Sequence, residues 1–211
     1  MATANFSEDM EQPTYEELIC WEGLSAAPGI HSHLRFLSIL NGFLSVTAFL
    51  ENVLILIALR KESCLHPPSK LLLRSLATTD LCVGIIAEPI MITYWMSVVH
   101  EHWNICRFVS AAFRITSVSL GGVSLLTMTA ISVDRLLALL LGLRYRQVVT
   151  LKRTYVLVVN FWVGSIGITT MYVWNSIITW WSIVTVLPLC LLTSIFSYTK
   201  IFISLDRKSV V

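Results

Sequence analysis

Five stretches of this sequence are apolar and long enough to cross a lipid bilayer as helices. A helix needs about 20 residues to span the ~30 Å hydrocarbon core of a membrane, and each stretch reaches that length. Only 13% of the 211 residues are charged, whereas soluble domains carry about 25%. The sequence therefore predicts an all-α membrane protein. Its five transmembrane helices are predicted at about 36–59, 71–95, 107–140, 154–173 and 176–203.

The distribution of lysine and arginine predicts how the chain is threaded through the membrane. Most of the 15 basic residues lie at helix ends that share one side, and Arg35, Arg107 and Arg114 are left for the other. Because basic residues favour the cytoplasmic side, the N-terminus is predicted outside and the C-terminus inside. Residues 1–34 would form an extracellular tail, 35–205 the transmembrane domain and 206–211 a cytoplasmic end. The net charge of +2 follows from this asymmetry and requires no nucleic-acid partner.

The predicted extracellular side carries two candidates for covalent modification. Asn5-Phe6-Ser7 has the N-glycosylation acceptor pattern, which also arises by chance. Of the five cysteines, only Cys20 and Cys106 are predicted outside, where a disulfide can persist. No cysteine or histidine grouping in the sequence has the spacing of a metal site.

Three polar residues fall at similar depths in three predicted helices. Counting 1.5 Å per residue from the inner ends places Asn52 at ~12 Å, Asp80 at ~15 Å and Ser124 at ~16 Å. They could meet in one buried cluster, whose oxygen atoms suit a small hard cation such as sodium. The alternative is hydrogen bonding between helices, which explains Asn52 and Ser124 well. It explains Asp80 poorly, because a bare carboxylate at mid-bilayer costs several kcal/mol.

Further polar residues lie toward both ends of the bundle. Glu88, Arg114 and Ser117 should lie near the outer end, where Glu88 and Arg114 either pair with each other or receive a charged ligand. Asp134 and Arg135 lie at the inner end of the third helix. There the two charges can satisfy each other and reach interfacial water, which lowers the cost of burial.

These residues form a series of motifs that resembles the rhodopsin-like (class A) G protein-coupled receptors across all five helices. The motifs are Asn52 in "ENVLIL", "LATTD" ending at Asp80, "ISVDRL" around Asp134-Arg135, Trp162 in the fourth helix, and Pro188 followed by Tyr198 in the fifth. Each is a weak signal alone, but their order and positions together are specific. The resemblance implies five helices of a seven-helix receptor bundle in the plasma membrane.

The resemblance also implies roles for the polar residues. Asn52, Asp80 and Ser124 match the family's allosteric sodium pocket. Asp134 and Arg135 match the switch that admits a heterotrimeric G protein, and 139–146 match a loop that contacts it. Glu88, Arg114 and Ser117 fall where extracellular ligands bind, with the ligand itself unknown. Receptor oligomers are a further expected form of assembly.

The sequence departs from the family pattern at several positions. Ser117 stands where amine receptors carry Asp, so an amine ligand is unsupported. Ser110 stands where the family has its outer cysteine, and a Cys20–Cys106 disulfide is a candidate substitute. Tyr198 lies ten residues after Pro188, where the family spacing is eight.

The largest departure is that the family's sixth and seventh helices are not found in this sequence. We expect the sequence to be truncated, with signalling carried by a longer product. The alternative is a five-helix protein that acts as an interaction partner or modulator of full-length receptors. A small transporter is less consistent with the motifs, and no nucleophile pattern suggests an enzyme.

Overall fold

The apolar stretches contain few helix-breaking residues and form five long helices in the computed structural model of the chain. The structure describes residue 20 and residues 29–63, 65–174 and 176–209. Regular structure in these residues is entirely helical, and five helices are long and apolar enough to cross a membrane. The all-α membrane fold predicted from the sequence is therefore confirmed. We call the five helices the first to fifth spans: Ile30–Lys61, Pro67–Val99, Trp103–Leu141, Leu151–Trp174 and Ser176–Ser209.

Local sequence explains where the spans begin and end. Pro67 begins the second span, where its missing N–H costs no hydrogen bond and its fixed φ suits a helix. The third span ends at Leu141 and is followed by Gly142, whose φ of 49° is favourable for glycine but strained for residues with a Cβ. A short 3₁₀ turn, Gly142–Arg144, and a single helical turn, Tyr145–Val148, follow it. The chain therefore folds back under the bundle before the fourth span begins.

The second span contains a π-helical turn at Val83–Ala87, which ends one residue before Pro89. Proline in a helix removes a hydrogen bond and crowds the preceding turn, and widening that turn relieves the crowding. Ser45 of the first span donates a hydrogen bond to the Gly84 carbonyl oxygen at 2.7 Å. A Cβ on Gly84 would lie 3.2 Å from the Ser45 carbonyl oxygen. A glycine at this position therefore allows the first two spans to pack closely beside the π-turn.

The third span is the centre of the bundle, because it packs against the second, fourth and fifth spans, whereas the first packs against the second. Small side chains form its contact with the fourth span, as is common between membrane helices. Ser119 and Thr169 hydrogen-bond through their hydroxyl groups at 2.8 Å. A Cβ on Gly122 would lie only 2.8 Å from the Ser165 hydroxyl oxygen. The neighbouring Gly121 has open space at the same position.

Replacing Gly122 with Leu is expected to lower stability by about 1–3 kcal/mol, because the added side chain must displace Ser165 and separate the two spans. Gly121→Leu is the matched control, since it makes the same change in helix propensity toward open space. The measurement is the melting temperature of each purified variant in nanodiscs. Equal melting temperatures for the two variants would contradict the packing assigned to Gly122.

A disulfide closes the outer end of the bundle. Cys20 and Cys106 are joined with an S–S distance of 2.10 Å, and Cys106 is fully buried. Leu34, Val98 and Val99 complete the buried cluster around the two cysteines. The bond ties the segment before the first span to the start of the third span, 86 residues further along the chain.

Cys20→Ser is expected to destabilise the protein by about 2–5 kcal/mol, because the bond closes a long loop in the unfolded chain. Cys106→Ser should cost about as much, since it breaks the same bond and both substitutions place a hydroxyl group in the same buried apolar cluster. Thermal unfolding under oxidising conditions measures both effects. An unchanged melting temperature in Cys20→Ser would exclude a role for this bond. So would a reductant that lowers the melting temperatures of the variant and the wild type equally.

Candidate functional site

At the inner end of the bundle, Asp134 is held by hydroxyl groups from two other segments. Ser69 Oγ donates to Asp134 Oδ2 at 2.7 Å, and Tyr145 OH donates to Asp134 Oδ1 at 2.6 Å. The two hydroxyl oxygens are themselves 3.1 Å apart. Asp134 is only 5% exposed, so both of its oxygens exchange water for protein donors. These three residues, which we call the inner network, connect the second span, the third span and the loop after it.

The local fold explains how these three side chains meet. The Pro67 start of the second span places Ser69 in the first helical turn. The turn at Gly142 brings Tyr145 back under the third span, where its ring lies 5.1 Å from that of His66. Ser69 and Tyr145 were not predicted from the sequence as members of this site. The available signal was weak: Tyr145 is a single aromatic residue between two arginines, and Ser69 is one of many serines.

The structure assigns Arg135 a different position from its neighbour. The sequence suggested that Asp134 and Arg135 satisfy each other, but the carboxylate bonds to Ser69 and Tyr145 instead, and the Arg135 side chain is exposed. Adjacent residues on a helix point about 100° apart, so one can be buried while the next faces outward. The cation is therefore available at the inner surface.

The exposed inner surface continues into the loop after the third span. Leu143 is 98% exposed, and Arg144 and Arg146 beside it are also exposed. A fully exposed leucine directly before two cations has no packing role in the described residues. An apolar side chain with a charged rim is a typical anchor at a protein–protein contact.

In the middle of the membrane, the structure joins two of the three residues of the expected sodium pocket. Ser124 Oγ donates to Asp80 Oδ1 at 2.5 Å. Asn52 is buried, and its amide donates to the Ala48 carbonyl oxygen in its own helix at 2.8 Å. Asp80 Oδ2 accepts no hydrogen bond from the described residues. One carboxylate oxygen and a neighbouring hydroxyl oxygen are thus placed where they could coordinate a hard cation.

The three ligand candidates near the outer end have separate surroundings. The Glu88 side chain hydrogen-bonds to Asn41 of the first span rather than to Arg114. Arg114 is partly buried and interacts electrostatically with Tyr94. Ser117 lines a cavity of about 360 Å³ between the third, fourth and fifth spans, together with Gly121, Ser165 and Leu187. The predicted glycosylation site, Asn5, lies outside the described residues.

Five apolar spans around a central third helix define a helical membrane protein, with a buried Asp134 beside an exposed Arg135 at its inner end. The family model for the 7 transmembrane receptor (rhodopsin family) matches residues 51–177, so the chain belongs to that family. It is a multi-pass protein of the plasma membrane, and the family consists of receptors rather than enzymes.

Similar proteins include adenosine receptors from several mammals. The chain is 33% identical to adenosine receptor A2b of Rattus norvegicus over 135 residues, which cover 63% of this chain and 39% of the relative. Identity to the A2b receptor of Homo sapiens is 32% over 127 residues, covering 59% of this chain and 37% of that receptor. Adenosine receptor A3 of Canis lupus familiaris is 28% identical over 138 residues, which cover 64% of this chain and 42% of that receptor. The match thus spans about two fifths of these relatives.

Proposed function

We propose that these five spans are part of a G protein-coupled receptor, which transmits the binding of an extracellular ligand to a heterotrimeric G protein. The observation that carries the proposal is the inner network with its exposed neighbour Arg135. The sixth and seventh helices that the family adds would complete the bundle in the active protein.

The inner network supports this function because it separates the two charges of the Asp134-Arg135 pair. The two hydroxyl donors satisfy the Asp134 carboxylate, so the Arg135 guanidinium does not need to pair with it. An arginine keeps its charge at any physiological pH and presents five donors to a partner. Together with Leu143 and Arg144, it forms an inner surface suited to a protein partner that offers carbonyl or carboxylate oxygens and an apolar pocket.

We also propose a sodium site at Asp80 and Ser124. The bonded pair contributes oxygens from the second and third spans. Asn52 is buried on the first span, at a depth that the residue count along the helix predicts to be similar. A sodium ion bound there would offset the cost of the Asp80 charge at mid-bilayer. In the full receptor, binding of sodium and of an agonist would be coupled in both directions.

For the extracellular ligand, the names of the relatives make adenosine the first compound to test. Ser117 is a neutral residue that lines a largely apolar cavity, which is compatible with an uncharged ligand. Residues from the sixth and seventh helices would contribute further contacts, so the ligand assignment is tested separately from G protein coupling.

A chimera tests coupling without knowing the natural ligand. Residues 66–70 and 132–149 of this chain would replace the matching segments of the rat A2b receptor, which transfers the whole inner network. We expect adenosine to activate G proteins through the chimera. Loss of activation in a chimera that still reaches the cell surface and binds adenosine would contradict the proposal.

A further inference from the structure

His66 contacts the inner network, although it is not one of its three members. Its imidazole ring lies 5.1 Å from the ring of Tyr145, with the two ring planes inclined at 55°. Tilted aromatic pairs at this separation attract each other. The ring nitrogen Nδ1 of His66 is buried and has no hydrogen-bond partner among the described residues. In this part of the chain, the imidazole therefore contacts the network through its ring rather than through Nδ1.

The backbone holds His66 in a fixed position. Its φ of −58° and ψ of 132° are extended values, which the following Pro67 favours because it disfavours the helical region for the residue before it. The His66 carbonyl oxygen accepts a hydrogen bond from the Lys70 N–H at 3.0 Å, as expected at the start of a helix. The same helical turn carries Ser69, whose hydroxyl oxygen lies 3.1 Å from that of Tyr145. One turn of the second span thus contacts Tyr145 at both its ring and its hydroxyl group.

Tyr145 needs the ring contact because its own segment is short. It begins a helix of only four residues, Tyr145–Val148, which is joined to the third span by the turn at Gly142. A helix this short is unstable without packing. The hydrogen bond to Asp134 requires the phenol oxygen to stay 2.6 Å from the carboxylate, yet bonds to that single atom leave the ring free to pivot about it. The His66 ring restricts this movement.

The imidazole suits this contact by its shape rather than by its polarity. A buried ring nitrogen without a partner lowers stability, so His66→Phe would keep the ring contact and remove that cost. His66→Ala would remove the contact and leave Tyr145 held by its hydroxyl group. These two substitutions therefore separate the effect of the ring from that of the nitrogen.

A change in the position of Tyr145 affects Arg135 through Asp134. With both hydroxyl donors in place, the Asp134 carboxylate has no need of the neighbouring guanidinium. When Tyr145 pivots away, one buried carboxylate oxygen loses its donor, which favours pairing with the adjacent cation. Arg135 would then be less available at the inner surface.

We propose that His66 is a positioning residue, whose ring holds Tyr145 where its phenol satisfies Asp134. Arg135 then stays available to the G protein, so the inference rests on the proposed function of the inner surface. His66 acts through Tyr145 alone, and no contact between His66 and the G protein is required.

The chimera with the rat A2b receptor tests this role, because the transferred residues 66–70 include His66. His66→Ala should lower adenosine-stimulated nucleotide exchange about fivefold, the effect expected when one aromatic contact is lost, with surface expression unchanged. His66→Phe should retain exchange. Adding Asp134→Asn to His66→Ala should restore exchange to the level of Asp134→Asn alone, since an amide carries no charge to hold Arg135. Equal losses in the two single variants, or no restoration, would overturn the role.

A double-mutant cycle with Tyr145→Phe tests whether His66 acts through Tyr145. Tyr145→Phe removes the phenol hydroxyl group and should lower exchange by itself. Adding His66→Ala should cause no further loss, because the hydroxyl group that the His66 ring positions is already absent. Losses that multiply would show that His66 acts by another route, which would contradict the proposal.

A fluorine label on Tyr145 gives a readout that needs no G protein. 3-Fluorotyrosine would replace Tyr145 in the purified protein in nanodiscs, where its fluorine NMR resonance reports the surroundings of the ring. We expect His66→Ala to shift this resonance. His100→Ala is the matched control, since it removes an exposed histidine from the loop before the third span, and should leave the resonance unchanged.

The fluorine label also separates the two proposals. A resonance that is the same in the wild type and in His66→Ala would overturn the positioning role. Failure of the unsubstituted chimera to activate G proteins would contradict the proposed function instead, and the resonance would still decide whether His66 holds Tyr145.

Discussion

Arg135→Ala is expected to abolish G protein activation while leaving expression and ligand binding intact. The side chain is exposed at the inner end of the third span, and the described residues offer it no hydrogen bond or ion pair, so its removal should not unfold the protein. Its neighbour Asp134 keeps both hydroxyl partners in the variant. The loss therefore falls on the contact with the G protein.

The chimera with the rat A2b receptor is the system in which to measure this effect. Adenosine-stimulated nucleotide exchange should fall at least about tenfold, which corresponds to ~1.4 kcal/mol of lost interaction. Lys152→Ala, in a chimera extended to residue 152, is the control, because it removes an exposed cation from the start of the fourth span. Normal exchange by the Arg135→Ala chimera would remove Arg135 from the proposed switch.

Asp80→Asn is expected to eliminate stabilisation of the protein by sodium. In the wild-type protein, sodium at ten times its dissociation constant should stabilise the folded state by about 1.4 kcal/mol, which raises the melting temperature by about 3–6 °C. The amide of the variant keeps a hydrogen-bonding group beside Ser124 but carries no charge to attract the ion. Its melting temperature without sodium should be equal or higher, because a charge has been removed from mid-bilayer.

The measurement compares melting temperatures in sodium chloride and choline chloride at equal ionic strength, using the purified full-length protein. Ser124→Ala is the second variant, and should weaken the sodium effect by removing one oxygen while keeping the Asp80 charge. A sodium-dependent rise in melting temperature that persists in Asp80→Asn would show that sodium does not bind at this site.

The sequence predicted features that depend on composition and on regular helix geometry. Apolar length identified five spans, although each helix extends a few residues past the predicted stretch where polar residues reach the membrane surface. A rise of 1.5 Å per residue placed Asp80 and Ser124 at one depth, and the structure joins them by a hydrogen bond.

Features that depend on turns and on distant segments were not predictable in this way. Ser69 and Asp134 are 65 residues apart in sequence, and their contact depends on how two helices pack. Tyr145 reaches Asp134 only because the chain turns at Gly142, and helix periodicity carries no information about such a turn. The bond between Glu88 and Asn41 likewise depends on the rotation of the first span about its axis, which depth counting does not determine.

The most direct test of the account is whether the inner surface contacts a G protein. A photoreactive benzoylphenylalanine would replace Leu143 in the chimera, where the wild-type side chain is 98% exposed. Tyr155, which is exposed on the fourth span, is the control position in a chimera extended to residue 155. With adenosine and without nucleotide, we predict crosslinking of position 143, and not of position 155, to the Gα subunit. A chimera that activates G proteins without any crosslink from position 143, or with equal crosslinks from both positions, would contradict the account.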